Sequence, residues 1–203
     1  MASSQRSGSF IEQARRTQIV DSAVETIAEV GYGNASLAQI AKRAGISKGV
    51  ISYHFAGKDE LMQQVLTESM ALAQAQMLPR IEAGEGPLGR LRGHIEGNIA
   101  FIKAHPKHLV AMVEILNNAK DEKGEHVVDV SAFGGLVGQV AHAFAGAQAQ
   151  GLVRAFDPLV MAQTLRSALD GMVGLYLADP NLDLDAYGAE LVTIFDLAVR
   201  KPE

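Results

Sequence analysis

Residues 36–58 read Ser-Leu-Ala-Gln-Ile-Ala-Lys-Arg-Ala-Gly-Ile-Ser-Lys-Gly-Val-Ile-Ser-Tyr-His-Phe-Ala-Gly-Lys, with four Lys/Arg and no Asp or Glu. The spacing predicts two short helices around a glycine turn. Ser36 can cap the first helix with Gln39 as its reciprocal partner, and Leu37, Ile40, Ala41 and Ala44 then share one face. Gly45 can take a left-handed backbone at no steric cost, Ile46 returns to the core, and Ser47 is placed to cap a second helix. This is the build of a helix-turn-helix.

In such a motif the second helix enters the major groove, where exposed residues meet base edges and flanking residues hold phosphates. Lys48, Val50 and Ser52 are the outward-facing candidates, and Gly49 leaves no side chain between helix and duplex. Ser36 and Ser47 flank them. Tyr53, His54 and Lys58 offer a hydroxyl, an imidazole and an ammonium to backbone oxygens, while Ile51 and Phe55 anchor the helix from beneath.

The run from Ile19 to Leu61 resembles the DNA-binding domain of the tetracycline-repressor family of bacterial transcriptional regulators. The likeness is carried by Gly31-Tyr32, Ile40-Ala41, Ala44-Gly45-Ile46-Ser47, Gly49, Tyr53-His54-Phe55 and the Lys58–Leu61 start of the next long helix. One departure is Ser52, which stands where many members carry an aromatic residue two before the histidine.

Outward from this stretch, Ile19, Val20, Ala23, Val24, Ile27 and Val30 recur at three- and four-residue spacing, predicting a first helix from about Phe10 to Val30 with Gly31 as its stop. The polar residues 1–9 are expected to form a flexible tail. Lys58-Asp59-Glu60 opens a fourth helix reaching about Met77, and Pro79 is expected to end it. Further helices are predicted to Ala104, from Pro106 to Asn118, within 126–150, from Pro158 to Ala178, and from Asp183 or Asp185 to Val199. No alternating strand pattern occurs. The fold is expected to be all-α with about nine helices: a helix-turn-helix domain at 10–57, and a ligand-binding and dimerisation domain at 58–203.

Charge is distributed unevenly around an overall −5: residues 1–60 hold seven Lys/Arg against six Asp/Glu, and residues 61–203 hold eleven against seventeen. A modest basic face relies on specific contacts and on two copies of the domain more than on bulk attraction. No run of eighteen apolar residues occurs, the first residues lack a signal-peptide centre, and there is no cysteine. A cytoplasmic protein without disulfides or thiolate metal sites is expected.

The last two helices carry Leu165, Ala168, Leu169 and Leu175, and Leu191, Ile194, Phe195 and Ala198. They either cover the middle helices or meet their symmetry mates in a four-helix interface. The family resemblance implies the second arrangement and thus a homodimer. Met70, Met77, Phe101, Met112, Ile115, Phe133, Phe144, Met161, Met172 and Tyr176 are either plain core or the lining of an adaptable pocket. The resemblance implies a pocket for a small-molecule effector that lowers affinity for DNA. Were Glu96, Glu114, Asp129 or Asp170 to face it, a cationic or hydrogen-bonding ligand would be favoured.

His105 and His108 straddle a helix start without a third ligand at fixed spacing, so no metal site is predicted. No nucleophile elbow, phosphate loop or dinucleotide turn occurs, and neither an enzyme nor a cofactor is expected. Together these readings predict a homodimeric, ligand-responsive regulator of double-stranded DNA, expected to be a repressor. The rival is an all-α small-molecule-binding or interaction protein that keeps the helix-turn-helix as scaffold.

Overall fold

A computed structural model describes the backbone of residues 2–121, 123–128 and 131–202, and the side chains of residues 11–121, 123–128 and 135–202. Among the described residues there are nine helices: α1 (Ala2–Asn34), α2 (Leu37–Ala44), α3 (Lys48–His54), α4 (Lys58–Ala83), α5 (Gly86–Ala104), α6 (Pro106–Asn118), α7 (Ser131–Ala149), α8 (Pro158–Ala178) and α9 (Leu184–Val199). The all-α expectation holds. Among the described residues, extended pairing is confined to one isolated antiparallel bridge between Lys120 and His126, and no helix is long and apolar enough to cross a membrane.

Two boundaries differ from the sequence expectation. Helix α1 begins at Ala2, ahead of the start near Phe10 that the spacing predicts. Helix α4 runs through Pro79 to Ala83. Pro79 and Ala75 are both exposed, so water can satisfy the carbonyl that lacks its helical partner.

The chain forms two compact units, one of Met1–Met70 with Pro106–Asp129, the other of Ala71–His105 with Val130–Glu203. This division does not follow the 57/58 boundary read from the sequence. Helix α6 packs on α1, with Leu109, Ala111 and Ile115 buried, and so belongs with the helix-turn-helix.

In the first unit Ile19, Val20, Ala23, Val24 and Ile27 of α1 are buried together with Ile40, Ala41 and Ala44 of α2, Ile51 of α3, and Leu61, Met62, Val65 and Leu66 of α4. Each large side chain withdrawn from water contributes roughly 1.5–3 kcal/mol. Val30 was expected on this face but is 37% exposed. Gly31 (φ 76°, ψ 161°) breaks the helix there, a conformation that a residue with a Cβ rarely adopts.

In the second unit α4 and α5 approach closely because α5 offers glycines. A Cβ at Gly93 would lie 2.2 Å from the Arg80 carbonyl oxygen, and one at Gly97 would lie 2.6 Å from the Met77 Cα. Asp157 caps α8 through the amides of Leu159 (2.9 Å) and Val160 (3.1 Å). Of the two candidates for the start of α9 it is Asp183 that caps, accepting from the amides of Asp185 (3.1 Å) and Ala186 (2.9 Å).

Candidate nucleic-acid interface

The turn between α2 and α3 is built by local chemistry. The Ser36 hydroxyl accepts from the Gln39 amide at 3.3 Å, and the Gln39 side chain accepts from the Ser36 amide at 3.2 Å. Gly45 then ends α2 at φ 67°, and the Ile46 amide donates back to the Ala41 carbonyl at 3.0 Å. Ser47 has the extended backbone of a cap but makes no side-chain cap bond. This differs from the expected cap: the amide of Val50 is met by the Ser47 carbonyl at 3.0 Å, and Ser47 is exposed.

Helix α3 therefore has two faces. Ile51 and Phe55 are buried beneath it, and Lys48, Gly49 and Ser52 are exposed, with Val50 half-buried. Tyr53 is 77% exposed, so its hydroxyl is available at the C-terminal end. His54 is half-buried, and its Nδ1 is enclosed without a hydrogen-bond partner among the described residues. The ring meets Tyr53 edge-on at 5.0 Å.

Two of the four cations are tied into the protein. Arg43 is bonded to Glu25 at 3.2 Å, to Glu29, and through Nε to the Thr26 hydroxyl at 3.1 Å. Lys58, expected on phosphate, donates to the Tyr32 carbonyl at 2.8 Å and lies 4.0 Å from the centre of the Tyr32 ring. Burial holds its pKa below the ordinary lysine value, and the nearby Asp59 opposes that shift. Lys42 and Lys48 are exposed, and neither is in a salt bridge among the described residues.

Residues that sequence reading missed hold this surface in place. Gln18 of α1 donates to the Ala44 carbonyl at the end of α2 at 2.9 Å. Arg16 donates to the His54 carbonyl at the end of α3, and its guanidinium stacks 4.2 Å from the Phe55 ring centre. Glu114 of α6 accepts the Tyr32 amide at 2.8 Å, directly after the break at Gly31. Lys107 of α6 pairs with Glu25 at 3.0 Å, and this contact lowers the Glu25 pKa; burial opposes the shift, and Arg43 adds to it. These partners lie 26 to 82 residues apart, beyond any helical periodicity.

The expected pocket residues are divided between the two compact units. Met70, Met112 and Ile115 belong to the first unit; Met77, Phe101, Phe144, Met161, Met172 and Tyr176 belong to the second. Phe133 lies outside the described side chains. Met77, Phe101, Phe144, Ile115 and Met172 are buried, and Phe144 meets Phe156 edge-on at 5.4 Å, as core residues do. A groove of about 890 Å³ in the second unit is lined by none of the ten. Of the four acids considered, Glu96 lines that groove, Glu114 is bound to Tyr32, Asp170 pairs with Arg166, and Asp129 is outside the described residues.

The expected dimer face is also redistributed. Leu165, Leu169, Leu191 and Phe195 are buried within the second unit, whereas Leu175 is 50% and Ile194 49% exposed. Ala168 and Ala198 are half-buried. Leu159, Val160 and Leu197 add 60%, 61% and 65% exposed apolar side chains on the same two helices.

A profile described as bacterial regulatory proteins, tetR family, matches residues 19–65. The HTH-type transcriptional regulator BetI 1 of Chromohalobacter salexigens is 38% identical over 89 residues, 43% of this chain and 44% of that protein. The chain thus spans less than half the length of that relative. BetI of Burkholderia thailandensis is 26% identical over 184 residues, covering 86% of this chain and 94% of its own. Among solved structures, AibR in complex with isovaleryl coenzyme A and operator DNA superposes with a TM-score of 0.70, 24% identity, and coverage of 89% and 97%.

Proposed function

We propose that this chain, whose residues 19–65 match the tetR family of bacterial regulatory proteins, is a sequence-specific, ligand-responsive DNA-binding repressor that works as a homodimer. The observation that carries the reading is the two-faced α3, with Lys48, Gly49, Ser52 and Tyr53 outward over buried Ile51 and Phe55. Lys48 and Ser52 read base edges, Gly49 allows close approach, and Val50 supplies an apolar edge. Ser36, Ser47 and Tyr53 give hydroxyls to phosphates.

Lys58 and His54 act from behind. The bond from Lys58 to Tyr32 and the grip of Arg16 on the His54 carbonyl fix how α3 is presented. Two such modules meet a near-palindromic operator with half-sites about 34–36 Å apart. The exposed apolar stripe on α8 and α9 supplies the contact between protomers, and a cytoplasmic location follows from the role.

Effector binding in the second unit selects an arrangement unable to hold the operator. Helix α4 contributes residues to both units and carries the change. The response is bounded by the effector's preference for the released arrangement. AibR, named for a complex with both a coenzyme A thioester and operator DNA, is a precedent for this pairing of ligands on the same fold.

Fluorescence anisotropy on DNA from the chain's own upstream region, against a shuffled duplex, tests the reading. Saturable binding to the first, at least a hundredfold tighter than to the second, is expected. Equal weak binding to both would refute it.

A further inference from the structure

Helices α4, α5 and α9 each turn a face into the groove of the second unit. Ile99, Ala100, Ala104, Gly188, Ala189 and Val192 form its apolar lining, and Arg80, Arg92, Glu96, Lys103 and Asp185 add charged groups. Gly188 shapes the floor: a Cβ there would lie 1.9 Å from the Ile99 Cδ1. Arg92 and Lys103 are about three turns of α5 apart, so the floor runs for about 16 Å.

The ends differ electrically. At one, Lys103 donates to both oxygens of Asp185 at 2.9 and 2.7 Å, a closed pair. Towards the other, Arg92 and Glu96 of α5 share the lining with Arg80, whose carbonyl lies against the adjacent Gly93, and with Gln76 and Thr193. Arg80 uses one nitrogen on the Gln76 carbonyl and side-chain oxygens at 2.7 and 3.3 Å. Neither arginine reaches a carboxylate among the described residues. Two guanidiniums against one acid leave this end positive, in a chain whose formal charge is −5. An anion placed between the arginines gains charge-assisted hydrogen bonds; a cation there would meet two like charges.

We infer that this groove binds an amphiphile with an anionic head on Arg80 and Arg92 and an apolar tail laid along Ile99, Ala100 and Val192. The inference deepens the proposed effector role and rests on it for its biological meaning. Free carboxylates and phosphate-bearing amphiphiles share the required chemistry.

The test is calorimetric titration of the full chain with dodecanoate, dodecyl phosphate, dodecanol and dodecyltrimethylammonium, each below its micelle concentration. The two anions should bind once per chain and at least tenfold tighter than the alcohol, with the cation weakest; the tighter anion identifies the head group. Both arginines are exposed, so the R80Q/R92Q double variant should stay folded, lose about tenfold or more in anion affinity, and keep its affinity for the alcohol. Filling the groove with Ala189→Phe should abolish binding of every probe. Equal binding of all four probes, preference for the cation, or unchanged anion affinity in the double variant would overturn the assignment. Operator binding is titrated in parallel. An anion that binds while DNA stays held supports the ligand class and removes only the effector role; no anion binding with DNA still held sinks this inference alone.

Discussion

Arg43 and Lys58 supply half of the positive charge between residues 36 and 58, and both are answered inside the protein, Arg43 by Glu25 and Glu29 and Lys58 by the Tyr32 carbonyl. The salt dependence of DNA binding should follow from this. Removing an exposed cation that meets a phosphate lowers the slope of log affinity against log salt by about 1 per copy. Lys42→Ala should lower it by about 2 in a dimer, whereas Lys48→Ala, which removes a base contact, should alter base preference. Arg43→Ala should leave the slope unchanged and lower stability instead. Anisotropy titrations from 50 to 300 mM salt distinguish these outcomes, and a slope that falls with Arg43→Ala would show its charge facing DNA. Lys58→Met should reduce unfolding stability by about 1–2 kcal/mol, the scale of a partly buried charged hydrogen bond with a ring contact. Denaturant melts check it. Ser36 and Gly45 were legible in the sequence because each acts on backbone within a few residues. Glu114 was not, since its bond to Tyr32 spans 82 positions and nothing in local spacing marks it.

Helices were legible wherever apolar spacing agreed with a cap or a Gly/Pro break, which covers α2, α5, α6, α8 and α9. Pro79 misled because its cost depends on whether the freed carbonyl meets water, a matter of exposure that a sequence does not record. The Gly93 contact was hidden for a similar reason: a glycine inside a helical pattern reads as a weakness until a neighbouring backbone is seen against it. Gly93→Ala should destabilise by about 2–3 kcal/mol, because its methyl would meet the Arg80 carbonyl and not a flexible side chain. Gly33→Ala, with nothing within 4 Å, should change stability by less than about 0.5 kcal/mol. Urea unfolding of the two variants side by side makes the comparison. His94 gives α5 a pH dependence. Burial, helped by Arg166, lowers its pKa from 6.5 to about 4, so between those values the unfolded chain binds a proton that the folded chain does not. Stability is therefore full above about pH 6.5 and falls towards pH 4, by about 3 kcal/mol across the window. His94→Gln should remove that loss; a variant that loses as much stability as the parent between pH 7.5 and 4.5 would assign the effect elsewhere.

At the scale of the molecule, the sequence indicated all-α architecture and a helix-turn-helix, but not the membership of the compact units. Helix α6 lies far along the chain yet packs on α1, and its apolar residues look like those of any amphipathic helix. The expected pocket and dimer residues divide between buried and exposed positions for one shared reason: helical spacing identifies an apolar face without naming what covers it. Leu165 and Leu175 sit ten residues apart on α8, and one is 1% and the other 50% exposed. The exposed Leu175, Ile194 and Leu197 are the places to test self-association, and an Ile194→Glu/Leu197→Glu variant should shift sedimentation from dimer to monomer and lose tight operator binding with it. The central claim is that α3 reads DNA as one of a symmetric pair, and selection of bound duplexes from a randomised DNA pool addresses it most directly. The enriched sequences should be near-palindromes with half-sites about one helical turn apart, with specificity altered at one pair of symmetric positions by Lys48→Ala. A pool that shows no enrichment, or enriches a lone asymmetric site indifferent to Lys48, would contradict the account.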